Sequence, residues 1–161
     1  MSNIPTKEVS SKQEKMIAKY LGWDTVVGSG ARSFHPGDII SEDYLGECKT
    51  HMTKQSKIVF HRDFWDKIKN EAMSKFRTPV LFVDDGTQTI ENTYCILPCF
   101  AISMLVTYNI PCLDIKNAKN IHLNKFCELS KDLKYKCIWK DDNILILSLK
   151  VFKSIIDGDL D

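Results

Sequence analysis

Apolar residues recur at helical spacing in some stretches of this chain and as short runs in others, and the two patterns alternate. Met16, Ile17, Tyr20 and Leu21 make one apolar face, which predicts a helix opening near Ser10 or Ser11 and stopped by Gly22. Ser11-x-x-Glu14 has the form of a capping box at its start. Phe64, Ile68, Ala72 and Phe76 recur every four residues beside Trp65, predicting a helix over residues 63–76. Shorter β-prone runs occupy 23–27, 38–40, 44–49, 58–60, 79–83 and 94–97, most of them bounded by turn residues such as Asp84-Asp85-Gly86. Pro98 is placed to open a helix running to about Tyr108. A helix around 123–129, a hairpin of 137–139 and 144–147, and a final helix over 149–156 complete the reading. Residues 1–9 read as a flexible leader and 10–161 as a single domain. Interleaved strands and helices predict an α/β or α+β fold with a mixed sheet.

Composition narrows the class. At 161 residues the chain is long enough for one sizeable core, and 43% hydrophobic with 27% charged residues is ordinary for a globular protein. The longest apolar-rich stretch, 94–110, is broken by Pro98, Ser103, Thr107 and Asn109, so it falls short of the roughly 20 residues of a membrane span. The N-terminus lacks a secretory apolar region, which predicts a cytoplasmic protein, or one in the host cytoplasm if phage- or virus-encoded. Six cysteines (48, 95, 99, 112, 127 and 137) show no zinc-ligand spacing and are expected to be reduced, apolar fillers. A net charge of +1 excludes a strongly basic nucleic-acid coat protein. Residues 1–80 hold 13 Lys/Arg against 10 Asp/Glu, residues 81–161 hold 9 against 11, so the N-terminal half is the modestly basic one.

That half also carries the candidate chemistry. In a strand over 44–49, Glu47 and Lys49 share a face with Leu45, while Cys48 points the other way. Asp38 follows Pro36-Gly37 and opens the neighbouring strand, which brings a second carboxylate beside Glu47. Like charges at close range are unfavourable unless a cation lies between them. Mg²⁺ suits such a place, because it takes oxygen ligands and needs only one or two carboxylates (Mn²⁺ can substitute). Such an ion supports phosphodiester hydrolysis by polarising the phosphate and acidifying a water. Lys49 is placed to steady the attacking hydroxide or the negative charge that develops on the phosphorane. Glu14 has two readings, a helix-capping residue or a third metal ligand.

The run from Glu14 through Gly28-Ser29-Gly30-Ala31 and Pro36-Gly37-Asp38 to Glu47-Cys48-Lys49 resembles the PD-(D/E)xK nuclease superfamily, and more narrowly its archaeal- and phage-type Holliday junction resolvases. The resemblance spans roughly residues 10–83. It implies a restriction-endonuclease-like α/β core, a mixed β-sheet flanked by α-helices. It implies Glu14, Asp38 and Glu47 as metal ligands and Lys49 as the catalytic lysine. It implies a homodimer that cuts branched DNA in recombination or repair.

Arg32 and His35 before Asp38, and Thr50, His51, Lys54 and Lys57 after Lys49, are candidate DNA contacts of the affinity-giving, sequence-blind kind. Other signals fail. Gly28-x-Gly30 lacks the third glycine of a dinucleotide fingerprint, and His61 and His122 have no ligand spacing. Two further readings compete: a restriction-like or repair nuclease on duplex or flap DNA, and a nuclease-fold protein that binds nucleic acid without cutting it.

Overall fold

A computed structural model describes residues 6–27 and 36–159. Helix α1 spans Thr6–Leu21, followed by the short strands β1 (Asp24–Thr25) and β2 (Ile39–Ile40), then β3 (Tyr44–Lys49) and β4 (Val59–His61). Helix α2 (Arg62–Ser74) leads to β5 (Thr78–Asp84) and β6 (Thr93–Pro98). A single helical turn, α3 (Met104–Thr107), and β7 (Asn120–His122) precede the hairpin of β8 (Lys134–Trp139) and β9 (Asp142–Ser148), and α4 (Leu149–Ile156) closes the described chain.

Seven strands form one mixed sheet in the order β1-β2-β3-β5-β6-β9-β8. Strands β3 and β5 run parallel, joined through α2, and the other pairings in this sheet are antiparallel. A helix between parallel neighbours must cross one face, and α2 does so. Its Trp65, Ile68 and Ala72 bury against Leu45, Leu81, Val83 and Ile96. The opposite face carries α1 through Ile17, Ala18 and Leu21 and α4 through Leu149 and Phe152, over Val80, Phe82, Cys95, Leu97, Leu145 and Leu147. Strand β5 sends alternate residues into the two layers, which is why its sequence reads as an unbroken apolar run. The expected α/β class with a mixed sheet flanked by helices is therefore observed. Among the described residues no helix is long and apolar enough to cross a membrane. All six cysteines are free thiols.

Four expectations need correction. Residues 6–9 belong to α1 rather than to a leader, and residues 1–5 lie outside the described residues. Gln88 donates to the Val9 carbonyl at 2.6 Å and ties down this first stretch. Ser11 and Glu14 thus lie inside the helix, where their backbone groups are already in the ladder, and the capping box does not exist.

Helix α2 stops at Ser74 although the apolar period runs on to Phe76. Phe76 adopts φ 56° and is 98% exposed. Its N–H reaches the Met73 carbonyl at 3.2 Å, and that of Arg77 reaches Ala72 at 2.9 Å. These two bonds are the Schellman closure, with a phenylalanine where glycine is usual.

Pro98 opens no long helix. It ends β6 opposite Ile144, and the chain then makes a 3₁₀ turn and α3. The helix expected at 123–129 is no more than a 3₁₀ turn over Leu123–Lys125, entered directly from β7, which pairs with β4 in a separate two-stranded sheet. Ile121 of β7 and Leu123 at the start of the turn both bury in the α2-side core, and the Leu123 N–H is held by the Ile58 carbonyl at 2.9 Å, which fixes the chain in an extended entry to the turn.

Candidate active site

Strand β2 is only two residues long, and that shortness builds the site. It pairs with β3 through Ile39↔Gly46 and Ile40↔Leu45, so the ladder has ended where β3 reaches Glu47. Asp38 stands at the point of separation. Its N–H bonds to the Gly46 carbonyl at 2.8 Å, and its Oδ2 accepts the N–H of Cys48 at 2.8 Å. The carboxylate thus takes the place of the missing strand at the edge of β3. Gly37 makes this possible. It sits at φ 73°, where a Cβ would come within 2.7 Å of the Leu45 side chain, and its N–H is held by Glu71 Oε2 at 2.8 Å.

Leu45 packs in the α2 layer and Cys48 in the α1 layer, so the alternation read from sequence holds. Glu47, on the Leu45 side, has a side chain only 5% exposed. Two ammonium groups meet it. Lys49 Nζ lies 3.0 Å from Oε1, and Lys67 Nζ of α2 lies 3.3 Å from Oε2. Lys49 also lies over the Phe64 ring, 4.5 Å from its centroid. This cation–π contact helps fix its direction.

Glu14 approaches from α1. Neighbouring Gln13 is fully buried and donates Nε2–H to the Lys49 carbonyl at 2.7 Å, docking the helix against the end of β3. Glu14 lies within electrostatic reach of Asp38 and Glu47. Burial first, then the charges of Asp38 and Glu47, push the Glu14 pKa from 4.5 up to about 7. Burial and Glu47 push Asp38 from 3.8 up to about 6, against the pull of the Cys48 N–H. Lys67 holds its proton more firmly than an ordinary lysine: burial opposes its charge, and Glu47 and Glu71 overcome that.

Among the described residues no three His, Cys, Asp or Glu side chains converge closely enough to hold a metal as they stand. The donor set nevertheless fits a hard cation. Glu14, Asp38 and Glu47 offer only carboxylate oxygens, and burial followed by neighbouring negative charge raises the proton affinity of Glu14 and Asp38. Two buried acceptors flank the same end of the sheet without a hydrogen-bond partner, Gln13 Oε1 and Asp84 Oδ2.

The candidate DNA contacts separate into groups. Arg32, His35 and the Gly28-Ser29-Gly30-Ala31 turn lie outside the described residues. Thr50 donates its hydroxyl to Asp84 Oδ1 at 2.7 Å, so it serves the fold rather than a free surface. His51, Lys54 and Lys57 are exposed on the loop after β3. That loop is anchored by Gln55 N–H on the Asp85 carbonyl at 2.6 Å. It also leans on Gly86 at φ 92°, where a Cβ would lie 2.3 Å from the Thr53 carbonyl oxygen.

Lys67, Glu71 and Gln13 escaped the sequence reading. Lys67 and Glu71 are spaced as an ordinary surface pair on a helix, and only the crossover of α2 over the end of β3 makes them part of the site. The chain matches no protein-family profile, no curated protein and no solved structure.

Proposed function

We propose that this protein is a Mg²⁺-dependent endonuclease that hydrolyses DNA phosphodiesters, acting on four-way or otherwise branched DNA as a homodimer in the cytoplasm of its cell or host. In this reading its sheet and helices are a restriction-endonuclease-like core. The observation that supports it is that Asp38 and Glu47 stand beside each other where β2 ends, within electrostatic reach of Glu14 from α1, with Lys49 3.0 Å from Glu47. Such a gathering of buried like charge is unfavourable in itself and calls for a cation.

Glu14, Asp38 and Glu47 would hold the ion, which supplies polarisation of the scissile phosphate and acidification of a water. The remaining work belongs to the chain. Glu47 and the Phe64 ring hold the Lys49 ammonium in place, so one of its donors can meet the charge developing on the phosphate. Asp38 is held in place at the edge of β3 by the Cys48 N–H. His51, Lys54 and Lys57 offer sequence-blind phosphate contacts beside the site.

The substrate is decided by incubating the protein and Mg²⁺ with labelled four-way junction, flap and linear duplex in parallel. Paired symmetric nicks confined to the junction support junction resolution. Cutting of every substrate supports a restriction-like or repair nuclease on the same site. Binding without cleavage in any divalent metal refutes both and leaves a nucleic-acid binder.

A further inference from the structure

We infer that Lys67 is a displaceable counter-ion of this site: its ammonium occupies Glu47 while no divalent cation is bound, and turns out to a DNA phosphate when one is. The inference rests on the metal-dependent reading above and concerns a residue that reading does not use.

Glu47 is buried, and its two oxygens face two different lysines. The lysines are not equivalent. Lys49 rises from β3 itself, is 3.0 Å from Oε1 and lies against Phe64. Lys67 reaches across from α2, is 53% exposed, and stands 3.4 and 3.3 Å from Oε1 and Oε2. A well-formed ammonium–carboxylate bond is about 2.7–2.9 Å, so this contact is the longer and weaker of the two that Glu47 makes. A divalent ion needs one Glu47 oxygen at about 2.0–2.1 Å, and its charge repels an ammonium held on the same carboxylate. Lys67 therefore competes with the ion for the oxygen that Lys49 leaves open.

The other charges around it agree. Glu14 from α1 and Asp38 just before β2 add negative charge around Glu47, and Glu71 pairs with Lys67 on α2 itself. Glu71 Oε1 is 3.2 Å from Lys67 Nζ, and its Oε2 is fixed by the Gly37 N–H. A Lys67 driven off Glu47 keeps this second anchor. It stays beside the site with a free donor facing solvent, where a phosphate would lie.

The test is Mn²⁺ binding to the full chain without DNA, followed by electron paramagnetic resonance, for wild type, Lys67→Met and Lys67→Arg. Lys67→Met should bind Mn²⁺ at least about 5-fold more tightly, and Lys67→Arg should return the affinity to near wild type. With Ca²⁺ present, Lys67→Met should bind a labelled four-way junction more weakly, with a salt slope smaller by about one. If Lys67→Met folds poorly, Lys67→Gln carries the same comparison. Unchanged or weaker Mn²⁺ binding by a folded, uncharged variant overturns the inference and leaves the nuclease reading standing. A wild type that binds no Mn²⁺ at millimolar concentration overturns both.

Discussion

Replacing Glu14 by glutamine should make the metal-free protein more stable at alkaline pH, an unusual outcome for a residue proposed to act in catalysis. Burial and the neighbouring Asp38 and Glu47 raise its pKa from 4.5 to about 7. A raised carboxyl pKa means that the folded protein binds the proton more tightly than the unfolded chain. The associated stability is complete below about pH 4.5 and is lost as pH rises through about 7. At pH 8 the ionised Glu14 is therefore a liability in the folded state. At about 1.36 kcal/mol per pKa unit, the shift sets a ceiling near 3 kcal/mol. Glu14 is only partly buried, and solvent screening reduces this to about 1–2 kcal/mol. For a chain of this size that corresponds to a rise in melting temperature of about 3–6 °C.

The assay is thermal unfolding in chelator at pH 8, 6 and 4.5, for wild type and Glu14→Gln. The gain should be largest at pH 8 and vanish near pH 4.5. Saturating Mg²⁺ should reverse the order, because wild type gains binding free energy that the variant cannot match; about 2.7 kcal/mol accrues at 100 times the Kd. A variant destabilised at pH 8, or one whose effect is the same at every pH, refutes the electrostatic account of the cluster.

Three other perturbations test separate parts of the structure. Gly37→Ala should lower stability by about 1–2 kcal/mol, because φ 73° is unfavourable for alanine and its Cβ meets Leu45; chemical denaturation reads this, and Mn²⁺ titration should show metal affinity falling as Asp38 is displaced. Asp142 accepts from Arg62, Lys69 and Trp65 and ties α2 to β9, so Asp142→Ala should remove about 2 kcal/mol by urea unfolding. Burial alone would raise the Asp142 pKa, but the bonds from Lys69 and Trp65 hold it low, so the loss should be full at neutral pH and fade as wild type is acidified below its ordinary carboxylate range. Phe76→Gly should raise stability by about 1 kcal/mol in thermal unfolding, since it relieves a left-handed residue whose ring is 98% exposed.

The sequence was most readable where local pattern and burial agree. The alternation of Leu45, Glu47 and Lys49 against Cys48, the apolar run of β5 and the amphipathic α4 all stand in the structure where they were expected. It misled where a local rule met a tertiary one. The period through Phe76 ignored the Schellman closure at Ser74. The Ser11–Glu14 spacing imitated a cap inside a helix that already includes Thr6. The site was half legible. Asp38, Glu47 and Lys49 follow from strand spacing, but Gln13, Lys67 and Glu71 enter through the packing of α1 and α2, which spacing does not encode.

The central claim is that the carboxylates at the edge of β3 serve metal-dependent hydrolysis of DNA. Its most direct test is the nicking rate of an end-labelled four-way junction in Mg²⁺, with wild type beside a Glu47→Ala variant shown to be folded. The account predicts cleavage by wild type, none in chelator, and a loss of at least about 100-fold in the variant. A wild type inert with every divalent metal, or a folded Glu47→Ala variant that cuts as fast as wild type, would contradict it.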